Sequence, residues 1–228
     1  MFEYIDNNLK KIKDAASCAA EKSPYGQEYD ILLATKYATA EEINYAHSQG
    51  INKIGENRVQ SLLEKYDKLD KDGLDIHFIG SLQRNKVKYI IDKVSMIESL
   101  DSIELAKEIE KQAAKHGVVM DCLIEVNIGD EEAKGGIPKE DVLSFADSLT
   151  EFSHIRLCGL MTMAPKCTEI DEYRKYFKES YDIFIDICEK KLHNVNRKVL
   201  SMGMSESFEA ALMEGANLIR VGRAAFQK

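Results

Sequence analysis

Prolines are scarce in this chain: Pro24, Pro138 and Pro165 are the whole set in 228 residues. With so few, no Pro-rich linker divides the sequence, and no low-complexity tract or internal repeat does so either. The five cysteines, Cys18, Cys122, Cys158, Cys167 and Cys188, are odd in number and form no CxxC pair. That excludes a thioredoxin-like CxxC motif, and the pattern fits a reducing compartment. Cys122 and Cys158 lie in apolar runs and read as small buried hydrophobes. Positive charge is not in excess. The net charge is -8, which argues against a protein held to nucleic acid by phosphate contacts. No apolar stretch is long enough to span a bilayer, and the N-terminus has no signal-peptide core, so a cytoplasmic protein off the membrane is expected. His and acidic residues lack metal-ligand spacing. The G-x-S-x-G, Walker and G-x-G-x-x-G patterns are missing as well.

What is present is ample hydrophobic material, 44% of residues, arranged in short apolar runs that alternate with helical patterns. The runs are 29–34, 53–55, 76–80, 95–99, 118–127, 155–161, 198–202 and 218–221, eight in all. They are continuously apolar, as strands buried on both faces should be. Between them, Tyr173, Phe177, Tyr181, Phe184 and Cys188 repeat at helical spacing, and so do Ile103, Ala106, Ile109 and Ala113. A short helix from Glu41 to Ser48 ends at Gly50. A further helix, 5–20, precedes the first strand and is expected to pack outside the sheet. Eight strands alternating with helices predict a closed α/β barrel, a single (β/α)8 TIM barrel spanning residues 1–228. A doubly wound open sheet is the competitor, weakened by the lack of a dinucleotide fingerprint after the first strand. The charged segment 129–137, with Gly135-Gly136, reads as a mobile loop after the fifth strand.

Chemistry gathers where strands end. Lys36 closes the run Tyr29-Asp-Ile-Leu-Leu-Ala-Thr-Lys36, at the carboxyl end of the first strand, where such folds place their sites. Apolar walls there would disfavour its charged form and ready it for a Schiff base with a carbonyl compound, although a solvated lysine is the plainer alternative. Near the C-terminus, Leu200-Ser-Met-Gly-Met204-Ser205 ends a strand. Gly203 permits a tight turn, and Ser205 is positioned to cap a helix carrying Phe208, Ala211 and Leu212. Next comes Ile219-Arg220-Val-Gly222-Arg223, where Gly222 would let backbone amides approach a ligand. These are the loops after strands seven and eight, the usual phosphate cradle of a barrel. An imine-forming lysine and a phosphate cradle are what pyridoxal 5'-phosphate (PLP) requires. Arg220 would then stand at the pyridine nitrogen, unable to accept a proton from it; a surface ion pair is its other reading. Asn57 would bond a ring substituent or cap the next helix. His77, near the start of its strand, reads as structural. Thr162 reads as facing the ligand, and Ser81 to Lys86 as offering polar groups to the same face.

Taken in order, Ala34-Thr-Lys36, Ile54-Gly-Glu-Asn57, His77-Phe-Ile-Gly80 with Leu82-Gln and Asn85-Lys86, Gly159-Leu-Met-Thr-Met163, Leu200-Ser-Met-Gly-Met-Ser205 and Arg220-Val-Gly222 resemble the YggS/PROSC family of pyridoxal phosphate homeostasis proteins. The resemblance covers nearly the whole chain. It implies a barrel of the alanine racemase N-terminal domain type (PLP fold type III) without the C-terminal β domain. It places the cofactor on Lys36, with phosphate contacts from Ser205 and the amides around Gly222 and Arg223 and with Arg220 at the ring nitrogen; Asn57 and Met204 complete the expected cofactor contacts. In two places the chain departs from the family. Arg223 stands where many members have Thr or Ser, so either its amide and guanidinium replace that hydroxyl or its side chain points outward. Asp75-Ile76 replaces a Trp often found before the His-Phe-Ile-Gly motif. Three functions follow as alternatives. The first is a monomer that buffers PLP or delivers it to apo PLP-dependent enzymes without useful turnover. The second is a PLP-dependent amino-acid racemase, which needs a base on each face of the bound substrate. The third is a cofactor-free Schiff-base aldolase, which would be colourless.

Overall fold

The computed structural model describes residues 2–131, 135–190 and 198–228. In chain order its regular elements are α1 (Glu3–Glu21), β1 (Asp30–Ala34), α2 (Ala40–Ser48), β2 (Lys53–Glu56), α3 (Val59–Tyr66), β3 (Asp75–Phe78), a 3-10 helix (Arg84–Tyr89), β4 (Met96–Leu100), α4 (Ile103–His116), β5 (Met120–Asn127), β6 (Ile137–Pro138), α5 (Val142–Ser148), β7 (Ile155–Thr162), α6 (Ile170–Glu189), β8 (Val199–Ser201), α7 (Phe208–Met213), β9 (Leu218–Val221) and α8 (Arg223–Phe226), with two single-turn 3-10 segments flanking α5.

Strands β1, β2, β3, β4, β5, β7, β8 and β9 pair in that order, all parallel, and β9 returns to β1. The sheet is therefore a closed eight-stranded barrel, and the open-sheet alternative is overturned. Every one of the eight apolar runs holds a barrel strand. The two-residue β6 was not expected. It pairs with Val126 and Asn127 at the end of β5 and starts at Ile137, the last residue of the segment read as a mobile loop; residues 132–134 of that segment lie outside the described residues.

Two apolar cores result. The larger lies between strands and helices and includes Leu33, Ile54, Phe78, Ile97, Ile124, Phe177 and Ile219. The smaller fills the barrel itself, with Met96, Leu123, Cys158 and Met161 in contact. Burial holds the Cys158 thiol up at about 12, so it stays an inert thiol. Helix starts follow the local chemistry. Thr39 and Glu42 form a capping box at α2, and Ser102 caps α4, which ends on left-handed Gly117. The inner stripe of α6 differs slightly from the expected one: Tyr173, Phe177, Ser180, Phe184 and Ile187 are buried, while Tyr181 packs at the edge against Tyr25. Helix α1 lies outside the barrel, burying Ile5, Leu9, Ile12, Ala16 and Ala19. It packs on α7 and α8, and Asn8 donates to Gln227 O at 2.8 Å, so it covers the flank that the four-residue α8 is too short to cover.

Candidate functional site

At the carboxyl ends of the strands lies a cavity of about 450 Å³. Lys36, Asn57, Met204, Ser205, Arg220, Gly222 and Arg223 all line it. These residues come from the ends of β1, β2, β8 and β9 and the loops that follow, so the closure of the barrel through β9–β1 brings them together.

Lys36 is exposed at the mouth, with Nζ 4.8 Å from the centre of the Tyr37 ring. The apolar enclosure expected from the sequence is absent around it. Its neighbours are braced instead. The buried Glu56 accepts from Thr35 Oγ1 at 2.7 Å and from Lys65 Nζ at 2.6 Å, and the same ammonium donates to Thr35 O at 2.8 Å. Asn57 does not cap α3, whose cap position is Arg58. Its Oδ1 is buried with no hydrogen-bond partner, on the cavity wall. A buried acceptor left unsatisfied is costly, and a donor on a bound ligand would relieve it.

The two C-terminal loops are joined through Ser205. Its Oγ accepts from the Gly222 amide at 3.3 Å and from the Ala224 amide at 3.4 Å. Ser205 is therefore not the helix cap expected of it. The cap position of α7 belongs to Ser207, whose Oγ accepts from the Met204 amide at 3.2 Å. Gly203, at φ +88°, supplies the turn that brings this loop back over the strand ends. The Arg223 guanidinium points outward, 70% exposed, and pairs with Glu206 at 2.9 Å. The side chain is thus exposed and paired with Glu206, and both residues line the cavity.

Arg220 is buried, at 4% exposure, so the surface ion-pair reading is overturned. Its guanidinium donates to Ser201 Oγ at 2.7 Å and to Thr162 O at 2.8 Å. Thr162 contributes only its carbonyl. Its side chain is turned to α6, accepting from Ser180 at 3.3 Å, and does not face the cavity as expected. Met163 lines the cavity instead. Of the Ser81–Lys86 group only Ser81 reaches it; Gln83, Arg84 and Asn85 line a separate groove with Asp101.

Sequence reasoning missed Glu125. It lines the cavity from β5, and burial, reinforced by Asp101 and opposed by Arg220, pushes its carboxyl up to about 7. A lone acid within Cys122-Leu-Ile-Glu125-Val was the available signal. Tyr173 on α6 is a second unanticipated wall residue. Among the described residues no cluster of side chains suits a metal ion, and no helix is long and apolar enough to cross a membrane.

Residues 5–227 match the family described as alanine racemase, N-terminal domain. A pyridoxal phosphate homeostasis protein of Aquifex aeolicus is 39% identical over 219 residues, covering 96% of this chain and 95% of that protein. A protein of the same name from Helicobacter pylori is 36% identical over 235 residues, covering 100% of both. Among solved structures, PipY of Synechococcus elongatus with PLP bound superposes with a TM-score of 0.84 at 26% identity, covering 97% of this chain and 99% of that one.

Proposed function

The chain belongs to the pyridoxal phosphate homeostasis protein family, built on the alanine racemase N-terminal domain, and from that premise we propose that it binds PLP and serves its intracellular homeostasis, with Lys36 supplying the amine for the Schiff base. One observation carries the reading. A single cavity gathers an amine, two loops joined amide-to-hydroxyl by Ser205, and a buried guanidinium. Those three features suit an aldehyde, a phosphate and an unprotonated pyridine nitrogen respectively. The buried, unpartnered Asn57 Oδ1 is a fourth fit, to a donor on the ring such as its hydroxyl. When bound, the cofactor supplies reversible carbonyl chemistry. The protein's residues hold it: Ser205 with the amides of Gly222 and Arg223 at the phosphate, Met204 against the bound molecule, and Arg220 at the ring nitrogen.

The wider role is buffering or delivery, with residues 1–228 acting as one binding unit, a monomer in the cytoplasm, and apo PLP-dependent enzymes as acceptors. The test is the visible spectrum of the purified protein before and after borohydride treatment. Reduction traps only an imine, so mass analysis should find the adduct on the peptide holding Thr35 and Lys36. Lys36→Ala should abolish the trapped adduct and leave weaker, reversible binding. A colourless protein that gains no band with added PLP would sink the reading, and a label on another lysine would sink the assignment of Lys36.

A further inference from the structure

The barrel interior holds polar side chains that cofactor binding does not directly use. His77 on β3, Glu98 on β4 and Ser201 on β8 are all buried, in strands that are otherwise mainly apolar. They are joined in series to Arg220. His77 Nδ1 lies 2.6 Å from Glu98 Oε1, Ser201 Oγ donates to Glu98 Oε2 at 2.6 Å, and Arg220 Nη1 donates to Ser201 Oγ at 2.7 Å.

Donor counting fixes the direction of each bond. A guanidinium only donates, so Ser201 accepts from Arg220 and must pass its one proton onward to Glu98. A carboxylate only accepts, so His77 carries its proton on Nδ1. Burial opposes the charge on Glu98, but the bonds from His77 and Ser201 and the nearby Arg220 charge hold its carboxyl below the ordinary range. Glu98 is thus the counter-charge of Arg220, delivered through one hydroxyl. Two of the five guanidinium N–H groups are taken up by Ser201 and by Thr162 O, and Arg220 also lines the cavity.

We propose that His77, Glu98 and Ser201 are positioning residues, fixing the Arg220 guanidinium in one orientation against the pyridine nitrogen of the cofactor. The proposal rests on the PLP-binding reading above. A set of buried groups that merely satisfy one another would leave Arg220 and the bound ring indifferent to their exchange, and this separates the two roles. Glu98→Gln keeps the shape but offers an NH2 where a second acceptor is needed. Either His77 or Ser201 must then turn its proton, and a Ser201 proton turned back would face the Arg220 donor. Ser201→Ala removes the link, and Ser201→Thr keeps the hydroxyl.

The experiment has two arms. In ligand-free protein, nitrogen NMR should show His77 as the Nδ1–H form with an exchange-protected proton, and distinct, slowly exchanging Arg220 guanidinium signals. Glu98→Gln and Ser201→Ala should collapse the Arg220 signals to an averaged set. In protein loaded with PLP, both variants should shift the visible band and raise Kd by about tenfold or more, as expected for loss of a charge-assisted contact. Ser201→Thr should restore both readouts to within about twofold, and Met96→Leu, an interior change outside the series, should move neither. If Glu98→Gln fails to fold, the Ser201 pair decides. Arg220 signals and a visible band unchanged in Ser201→Ala would overturn the proposal. Should the natural chain show no PLP band, the functional reading fails, and the ligand-free arm still decides whether the series fixes Arg220.

Discussion

Glu125 ties the pH response of the barrel to its cavity. In the folded chain its carboxyl is pushed up to about 7 by burial, with Asp101 adding and Arg220 opposing. In the unfolded chain it titrates near the usual glutamate value of about 4.3. Between those values the folded state binds more protons than the unfolded one, so this residue's contribution to stability falls as pH rises through the window. Below it both states are protonated and the cost vanishes; above it the cost is fully present. The shift corresponds to something on the order of 3 kcal/mol. Glu125→Gln, neutral throughout, should therefore stabilise the ligand-free protein by about 1–3 kcal/mol near pH 8 and by almost nothing near pH 4. Urea unfolding at the two pH values checks this, and an equal gain at both would show that the charge is not the cause. Ser205→Ala should weaken PLP binding by about 1–3 kcal/mol, read as a titration of the visible band, because a charge-assisted bond is lost while backbone amides remain. If affinity is unchanged, Ser205 does no more than tie the two loops together. Arg223→Ala should change the same affinity by less than about threefold, since its exposed pair with Glu206 is of the kind that contributes little.

Helix α1 is the element whose contribution can be isolated from the cavity. Leu9 is 3% exposed, on the buried face of α1. Leu9→Ala should cost about 2–5 kcal/mol in urea unfolding, the usual range for a buried leucine. A loss under about 1 kcal/mol would mean that α1 is only loosely docked. Helix α1, like the barrel strands, was legible in the sequence because parallel strands covered on both faces leave continuous apolar runs, and outer helices leave one-sided stripes. The misses have equally physical causes. Strand β6 is two residues long, too short for any period, and follows a Gly-Gly pair that reads as loop. Thr162 lies on the other side from the one its spacing suggests because the register of β5 with β7 shifts between Leu157 and Gly159. Counting by twos from the interior Cys158 turns Thr162 inward, whereas the irregularity, with Gly159 at φ +139°, puts Met161 inside and Thr162 against α6. Ser205 and Ser207 both suit a cap by composition, and only the turn between them decides which one faces Gly222. The seven residues chosen for the site share one cavity because strand ends are where a barrel converges, which is a property of topology more than of any single motif.

At the scale of the whole molecule the open question is turnover. A racemase must remove a proton from one face of its bound substrate and return one on the other, which takes two bases. Lys36 alone would supply only one of them. The cavity is better furnished than that: Glu125, poised near neutral pH, and the phenol of Tyr173 both line it with Lys36. Other features oppose catalysis. Lys36 is exposed at the mouth, so at the proposed imine water would weaken every electrostatic contribution. Burial lowers the Arg220 pKa against the opposing charges of Glu98 and Glu125, and on the proposed reading its guanidinium, a donor only, would leave the ring nitrogen without a proton, a poor electron sink. Tyr173 is packed against Phe177, with ring centroids 6.1 Å apart. On the proposed reading these features favour holding and releasing PLP over transforming amino acids. The expected outcome is that α-proton exchange into deuterated water, followed over a panel of amino acids, stays well below ordinary enzymatic rates of about 1–1000 per second. Transfer to an apo-enzyme should outpace supply from free PLP. Exchange at an enzymatic rate with one amino acid, abolished by Glu125→Gln or Tyr173→Phe, would make the chain a racemase-like enzyme and name its second base. Transfer no faster than from free PLP would leave buffering in place and remove delivery.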